Sequence, residues 1–483
     1  MYEVPLWLNG QPSNAQNNQT YQVKNPINGE VVTTAAAATV ADARAAADAA
    51  AAAFPVWSQK TPGERRAVLL LAADKLAAKA EEAGQRVMQE MGATGMWGGF
   101  NIHLASSMLR EAAAMTTQID GSIIPSDEAG MMAMGIRQPV GVVLGIAPWN
   151  APIILGVRSV AMPLACGNSV VFKASEICPA THQLIAEALT EAGLPEGTLN
   201  MITNAPEDAP EIVKSLIEHP AVRRVNFTGS TRVGRIIAGL CAENLKPVLL
   251  ELGGKAPMVV LDDADVDAAV NAAAFGAYMN QGQICMSTER LIVTPGIADK
   301  LVAKLAEKAR TITAGKPEAG NTILGAVVNE AALERLNRLI DDASRKGAEV
   351  LAGGRSDSVL MDATLIDNVT SSMQIYSEES FGPVLSIMRA QDEEDAIRIA
   401  NDSQYGLSAA VFSQDFNKAM AVAGRIDSGI CHINSPTVQD QAQMPFGGVK
   451  ASGYGRFGSK AAINEFTELR WVTNQWGERH YPF

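Results

Sequence analysis

The chain has 483 residues, with 39 basic and 52 acidic side chains and a formal charge of −13, so it lacks the cationic footprint that nucleic acid or an anionic membrane would need. Apolar residues at 47% and charged residues at 19% exclude a mainly disordered chain, and the length predicts two or three domains. Five scattered cysteines (166, 178, 241, 285 and 431) with no C-x-x-C pair exclude a disulfide framework.

In chain order, the first fifty residues predict short strands with a turn at Asn28-Gly29, then an Ala-rich helix from about Thr39 to Phe54. The opening has no basic segment leading into an apolar one, so a reduced, cytoplasmic protein is expected. A helix is predicted from Gly63 to about Met91, with Leu70, Leu71, Asp74 and Leu76 at helical spacing. Residues 138–157 carry no charge, but Pro139, Pro148, Asn150 and Pro152 break the run into strand, turn and helix start, so no membrane span is expected. From there apolar runs alternate with helices. VGVVLGI leads to a helix at Pro152, SVVFK to one near Pro179, TLNMIT to one near Glu207, and VRRVNFTG to one near Arg232, before VLLELGG. That alternation predicts an α/β fold with a buried parallel sheet. A second set follows: PMVVL, a helix from Asp265 to Gln281, RLIVT, SFGPVLSIM, LSAAVFS and GICHIN. The last twenty residues predict a helix and a strand.

Several segments carry polar chemistry. Gly453 to Gly458 spell G-x-G-x-x-G, but no parallel strand precedes them, so they predict a loop at the active centre or a domain junction, not a dinucleotide loop. In Phe227-Thr228-Gly229-Ser230 a strand ends and a helix opens, which suits a phosphate as well as an ordinary N-cap. Lys173 and Glu176 follow a strand end, either as ribose and phosphate partners or as a solvated charge pair. Cys285 follows a helix at a Gly-containing break, Asn280-Gln281-Gly282-Gln283-Ile284, where a reacting group has room to approach. Glu251 lies among leucines, where desolvation disfavours its charge; this makes a general base or a buried structural pair. Asn150 either caps the following helix or donates to an oxyanion. The five histidines lack metal-ligand spacing, and no metal site is expected.

Together PWN (148–150), KASE (173–176), FTGSTRVG (227–234), LELGGK (250–255), NQGQIC (280–285), EESFGPV (378–384) and PFGGVKASGYGR (445–456) resemble the NAD(P)-dependent aldehyde dehydrogenase family over nearly the whole chain. The resemblance implies Cys285 as nucleophile, Glu251 as general base and Asn150 as oxyanion donor. It also implies contacts to NAD from Trp149, Lys173, Glu176, Gly229, Ser230, Glu379 and Phe381, with Glu176 disfavouring NADP. Ala174 and Phe457 depart from the proline and glutamate common in the family, and the second puts a local salt bridge in doubt. The implied architecture is a Rossmann-like NAD-binding domain (1–117 and 141–252), an α/β catalytic domain (253–451) and a small oligomerisation element (118–140 and 452–483), giving a dimer or tetramer.

QAQMPFGGVKASGYGRFG and EFTELRWVT resemble the aromatic-aldehyde group of that family, found in aromatic-hydrocarbon breakdown such as that of naphthalene. They imply salicylaldehyde as the foremost substrate and benzaldehyde-type compounds beside it. Asn150, Ile154 and Arg158 fall on one helix face, so Arg158 is a candidate partner for a ring hydroxyl or phenolate, with a structural ion pair as the alternative. Trp97, Tyr278, Ile284, Met286 and Phe446 are candidate pocket walls. The alternatives are an aliphatic or broad-range aldehyde dehydrogenase and a non-redox cysteine hydrolase or acyltransferase, which needs a histidine partner.

Overall fold

Proline and asparagine divide the uncharged stretch as expected: strand Val142–Ile146, a turn at Pro148-Trp149-Asn150, and helix Pro152–Ala165. The computed structural model describes residues 1–483. No helix in it is long and apolar enough to cross a membrane.

Five parallel strands form the centre of an eight-stranded sheet, in the order Val248–Glu251, Val222–Thr228, Val142–Ile146, Ser169–Lys173 and Leu199–Ile202. Leu6–Leu8 and Gln11–Ser13 extend one edge, and Gly453–Tyr454 closes the other antiparallel to Glu251. Chain order reverses direction between Val142–Ile146 and Val222–Thr228. At such a switch point the connections leave in opposite directions and open a crevice at the carboxyl ends of the strands. The register aligns those ends, with Ile146 opposite Lys173 and Phe227, and Thr228 opposite Glu251. Consecutive strand residues feed two apolar layers, Val143 and Val170 on one face, Leu144 and Val171 on the other, so both faces are covered.

A second, seven-stranded sheet runs from Glu349–Ala352 through Thr364–Asp367, Val384–Arg389, Thr288–Val293, Ala256–Val260 and Ser408–Phe412 to Ile430–Ile433. All its pairings are parallel except the first. A third sheet joins Ser122–Ile124, Met131–Pro139 and Thr467–Gln475 antiparallel. It displays Ile123, Leu469 and Trp471, which are 78%, 64% and 75% exposed.

Three expectations are corrected. The helix over 63–91 is two helices, Pro62–Ala77 and Ala80–Met91. The first buries Leu69, Ala72, Ala73 and Leu76, so of the leucines singled out in the sequence Leu76 faces the core while Leu70 and Leu71 are exposed. The helix over 265–281 ends at Tyr278 and gives way to a tight turn in which Asn280 and Gln281 take φ of 49° and 56°. Left-handed backbone at two successive non-glycine residues is costly, and here it redirects the chain toward Cys285.

Candidate active site

Glu251, at the carboxyl end of its strand, and the turn holding Cys285 are brought together by the two glycines between Leu252 and Lys255. A Cβ at Gly254 would run into the carbonyl oxygen of Cys285, and one at Gly253 into the Glu379 carboxylate. Only glycine permits both approaches. The cysteine turn is pinned by Ser287 Oγ donating to the Gly282 carbonyl at 3.0 Å and Thr437 Oγ1 donating to the Met286 carbonyl at 2.6 Å.

Asn150 does not cap the helix after it; that helix has no side-chain cap. Its Nδ2 instead donates to the Gln283 carbonyl at 2.9 Å, across 133 residues of sequence. Its own carbonyl accepts from Trp97 Nε1 at 2.9 Å and Asn280 Nδ2 at 3.0 Å. An amide nitrogen carries two hydrogens, so one N–H remains beside Cys285. The backbone N–H of Cys285 makes no hydrogen bond within the chain. These are the two donors an oxyanion on a carbon bonded to Cys285 would need.

Both carboxylate oxygens of Glu251 are buried and lack hydrogen-bond partners. Burial therefore raises its pKa to about 7, opposed by the Arg158 charge and by the nearby Cys285 thiol and Thr228 hydroxyl. Burial and the neighbouring Glu251 hold the Cys285 thiol well above its usual range. The resting pair is a thiol facing a carboxyl that gains and loses its proton near neutrality, which is the arrangement of a base beside a nucleophile.

Two cavities meet at Cys285, and Asn150 and Leu155 line both as well; Glu251 lines one of them. One, of about 380 Å³, is mostly apolar and is walled by Trp97, Phe100, Ile154, Phe275, Met279, Ile284, Met286 and Phe446. Of the expected walls, Trp97, Ile284, Met286 and Phe446 are present. Tyr278 is not: it packs in the core beside the second sheet and its hydroxyl donates to the Thr364 carbonyl at 3.1 Å. Phe275 and Met279, four apart and therefore on one helix face, turn to the cavity instead. Arg158 lines this cavity in an ion pair with Asp440, the structural alternative for that residue.

The other cavity, of about 670 Å³, is the crevice at the switch point, lined by Trp149, Thr228, Gly229, Ser230, Glu251, Glu379 and Phe381. Ser230 is also the N-cap of helix Thr231–Glu243, accepting from the Val233 amide at 3.3 Å. Phe381 meets Trp149 edge to face at 5.7 Å, with its own φ at +48°. Lys173 and Glu176 stand at the neighbouring strand end, ion-paired with each other, and do not line the crevice. The sequence reading overlooked Lys255, Glu289 and Arg335. The Glu289 carboxylate accepts from Lys255 Nζ at 2.5 Å and from the amides of Ser380 and Phe381 at 2.7 and 3.0 Å. Arg335 donates to the Glu379 carbonyl at 2.8 Å, and Glu379 accepts from the Gly254 amide at 2.8 Å. Burial and the charge of Glu289 raise Glu379 to about 8. This network fixes the Glu379-Ser380-Phe381 loop against the glycines beside Cys285. The lysine closing LELGGK was its one visible trace in the sequence.

Gly453 and Tyr454 of the glycine-rich motif pair with Glu251 and Leu250, so the motif lies at the edge of the first sheet beside Glu251. Arg456 donates to the carbonyls of Gly448 and Gly455 at 2.8 Å, while Phe457 is buried. No histidine lines either cavity. His182, buried against Phe172, is held near pKa 3 by burial and binds the Ser175 amide and Pro152 carbonyl. The hydrolase alternative thus has no histidine partner for Cys285.

A family profile described as the aldehyde dehydrogenase family matches residues 13–472. A vanillin dehydrogenase of Pseudomonas sp. (strain HR199 / DSM 7063) is 59% identical, with all of both chains covered. A salicylaldehyde dehydrogenase of Pseudomonas sp. (strain C18) is 50% identical over the same extent. Among solved structures, a salicylaldehyde dehydrogenase from Pseudomonas putida G7 complexed with salicylaldehyde superposes with a TM-score of 0.98, 49% identity and complete coverage of both chains.

Proposed function

The chain belongs to the aldehyde dehydrogenase family, and on that premise we propose that it oxidises aromatic aldehydes of the benzaldehyde class to carboxylates, with NAD as acceptor and Cys285 as nucleophile. The observation that carries this reading is the meeting of an apolar and a polar cavity on one thiol. The sequence expectation of salicylaldehyde is broadened here to the class, because a relative named for vanillin is 59% identical and one named for salicylaldehyde 50%.

The crevice suits a nicotinamide dinucleotide. It offers a helix N-terminus at Gly229 and Ser230 for a phosphate and an aromatic pair at Trp149 and Phe381. Lys173 and Glu176 stand at the adjoining strand end for a ribose, where the Glu176 carboxylate repels a 2′-phosphate and favours NAD. When bound, the nicotinamide supplies a hydride acceptor. The residues of the chain do the rest. Glu251 takes the Cys285 proton, and the sulfur attacks the aldehyde carbon while the carbonyl electron pair moves onto oxygen. Asn150 Nδ2 and the Cys285 amide stabilise that oxygen as its charge forms. After oxidation, Glu251 releases the thiol proton to solvent and, again a carboxylate, takes a proton from water attacking the thioester carbon, and the Cys285 sulfur leaves.

An aldehyde panel with NAD and NADP, followed by absorbance of the reduced dinucleotide, tests this. The expected kcat/KM for benzaldehyde, vanillin or salicylaldehyde exceeds that for acetaldehyde by about ten-fold or more, from burial of ring surface. Preference for acetaldehyde would sink the aromatic reading.

The third sheet is the proposed oligomerisation element, since Ile124, Leu469 and Trp471 share one exposed apolar face of a kind that usually marks a contact. A Trp471→Glu variant is expected to sediment as a smaller species than the unmodified protein; the same mass for both would remove this role. A thiol nucleophile suits the cytoplasm, where it stays reduced.

A further inference from the structure

The apolar cavity has one charged corner. Arg158, from helix Pro152–Ala165, and Asp440, from the loop after strand Ile430–Ile433, both line it, and their side chains are only 6% and 8% exposed. Arg158 Nη2 donates to Asp440 Oδ2. The guanidinium also lies over the Phe446 ring, 4.0 Å from its centroid. Asp440 Oδ1 has no such partner: it is buried and accepts no hydrogen bond in the chain.

A buried carboxylate oxygen that has left water and gained no donor carries an uncompensated cost, which a ligand donor would relieve. An ionised carboxylate only accepts, so what it lacks is an O–H or N–H. The surrounding walls are aromatic and aliphatic, so the donor that reaches it must come on a flat apolar body. We propose that Asp440 is a specificity-determining residue, accepting a hydrogen bond through Oδ1 from a ring hydroxyl of the aldehyde. The inference rests on the aromatic reading above and narrows it. The cavity takes neutral phenolic benzaldehydes ahead of their methyl ethers, since an ether oxygen offers Asp440 nothing and a phenolate meets a like charge.

A hydroxyl ortho to the formyl group is tied up in an internal hydrogen bond to the aldehyde oxygen, so the 3- and 4-substituted aldehydes are the probes. Arg158 keeps its own role as the clamp that orients Asp440, with its remaining face stacked on Phe446.

The test compares kcat/KM for 4-hydroxybenzaldehyde against 4-methoxybenzaldehyde, and for the two 3-substituted counterparts, with NAD and the unmodified enzyme. A hydroxyl-to-methoxyl ratio of about ten or more is expected in at least one pair, the size of a hydrogen bond to a charged group. A ratio near one in both would overturn the proposal. In Asp440→Asn, Arg158 takes the amide oxygen and an N–H faces inward, so the ratio should fall toward one. A merely structural ion pair would lower both substrates alike and leave the ratio unchanged, and that result too would overturn the proposal. Should the variant fail to fold, the unmodified enzyme still decides: the advantage of the hydroxylated aldehyde must vanish as pH rises through ionisation of the phenol, and an advantage that persists refutes it. Oxidation of acetaldehyde but of no benzaldehyde would count against the aromatic reading itself, a result distinct from a ratio near one among substrates that do react.

Discussion

Replacing Cys285 with alanine is expected to cut turnover by about 10⁴-fold or more and to remove the initial burst of reduced dinucleotide, because the substrate is then left without a nucleophile. Cys285 is the cysteine that lines both cavities, and it is part-exposed; Cys166, Cys178 and Cys241 are buried elsewhere, and Cys431 lines neither cavity. None of them can stand in. Neither cavity contains a histidine that might activate water in its place. Stopped-flow absorbance with an aromatic aldehyde measures both phases, and thermal melting checks that the fold is intact. A folded variant that keeps more than a tenth of the activity would show that the thiol is not the attacking group.

Glu251→Gln should separate the two halves of the reaction. The amide cannot take a proton from water, so the thioester forms and persists: a burst of about one reduced dinucleotide per site, then turnover lowered by about 10²- to 10⁴-fold. The amplitude is the diagnostic, because the same residue also receives the thiol proton and the burst rate will slow. In the unmodified enzyme the base must be ionised to act, so the hydrolytic rate should fall as pH drops through about 7, and this limb should be missing from the variant. Stability moves the other way. A carboxyl whose folded pKa is raised from 4.5 to about 7 has its full stabilising effect below pH 4.5 and loses it as pH rises toward 7. At pH 8 the glutamine variant should therefore be the more stable protein, by as much as about 3 kcal/mol. A melting temperature lower than that of the unmodified protein would mean that Glu251 is paired in the fold after all, and unchanged steady-state turnover would remove it from the reaction.

Much of this site was legible because its groups lie where local chain signals are strong. Glu251 ends a strand of the first sheet, and Asn150 and Ser230 lie in the turns just past two others; in a parallel sheet those ends gather at one edge. Cys285 was marked by the glycine and amides before it. What the sequence concealed was tertiary. Tyr278 and Met279 are adjacent, yet one enters the core and the other the cavity, a choice set by where the helix ends. That end depends on two left-handed residues with no single-sequence signature, Asn280 and Gln281. The partner of Arg158 lies 282 residues away at Asp440, inside a stretch whose local pattern, VQDQAQ, reads as an ordinary polar loop. Glu289 looked like one more charge in a strand, RLIVT and its neighbours, until Lys255 and two loop amides were found converging on it.

The thiol that closes both cavities has a bearing on how the enzyme could be blocked. On the proposed reading, ring and dinucleotide arrive at the sulfur through different doors, so an occupied polar crevice does not screen Cys285 from the apolar side. An electrophile on an aromatic scaffold would thus meet its target with the dinucleotide already seated. High cellular dinucleotide would offer no protection against such a covalent inhibitor, whereas the aldehyde itself would compete with it directly.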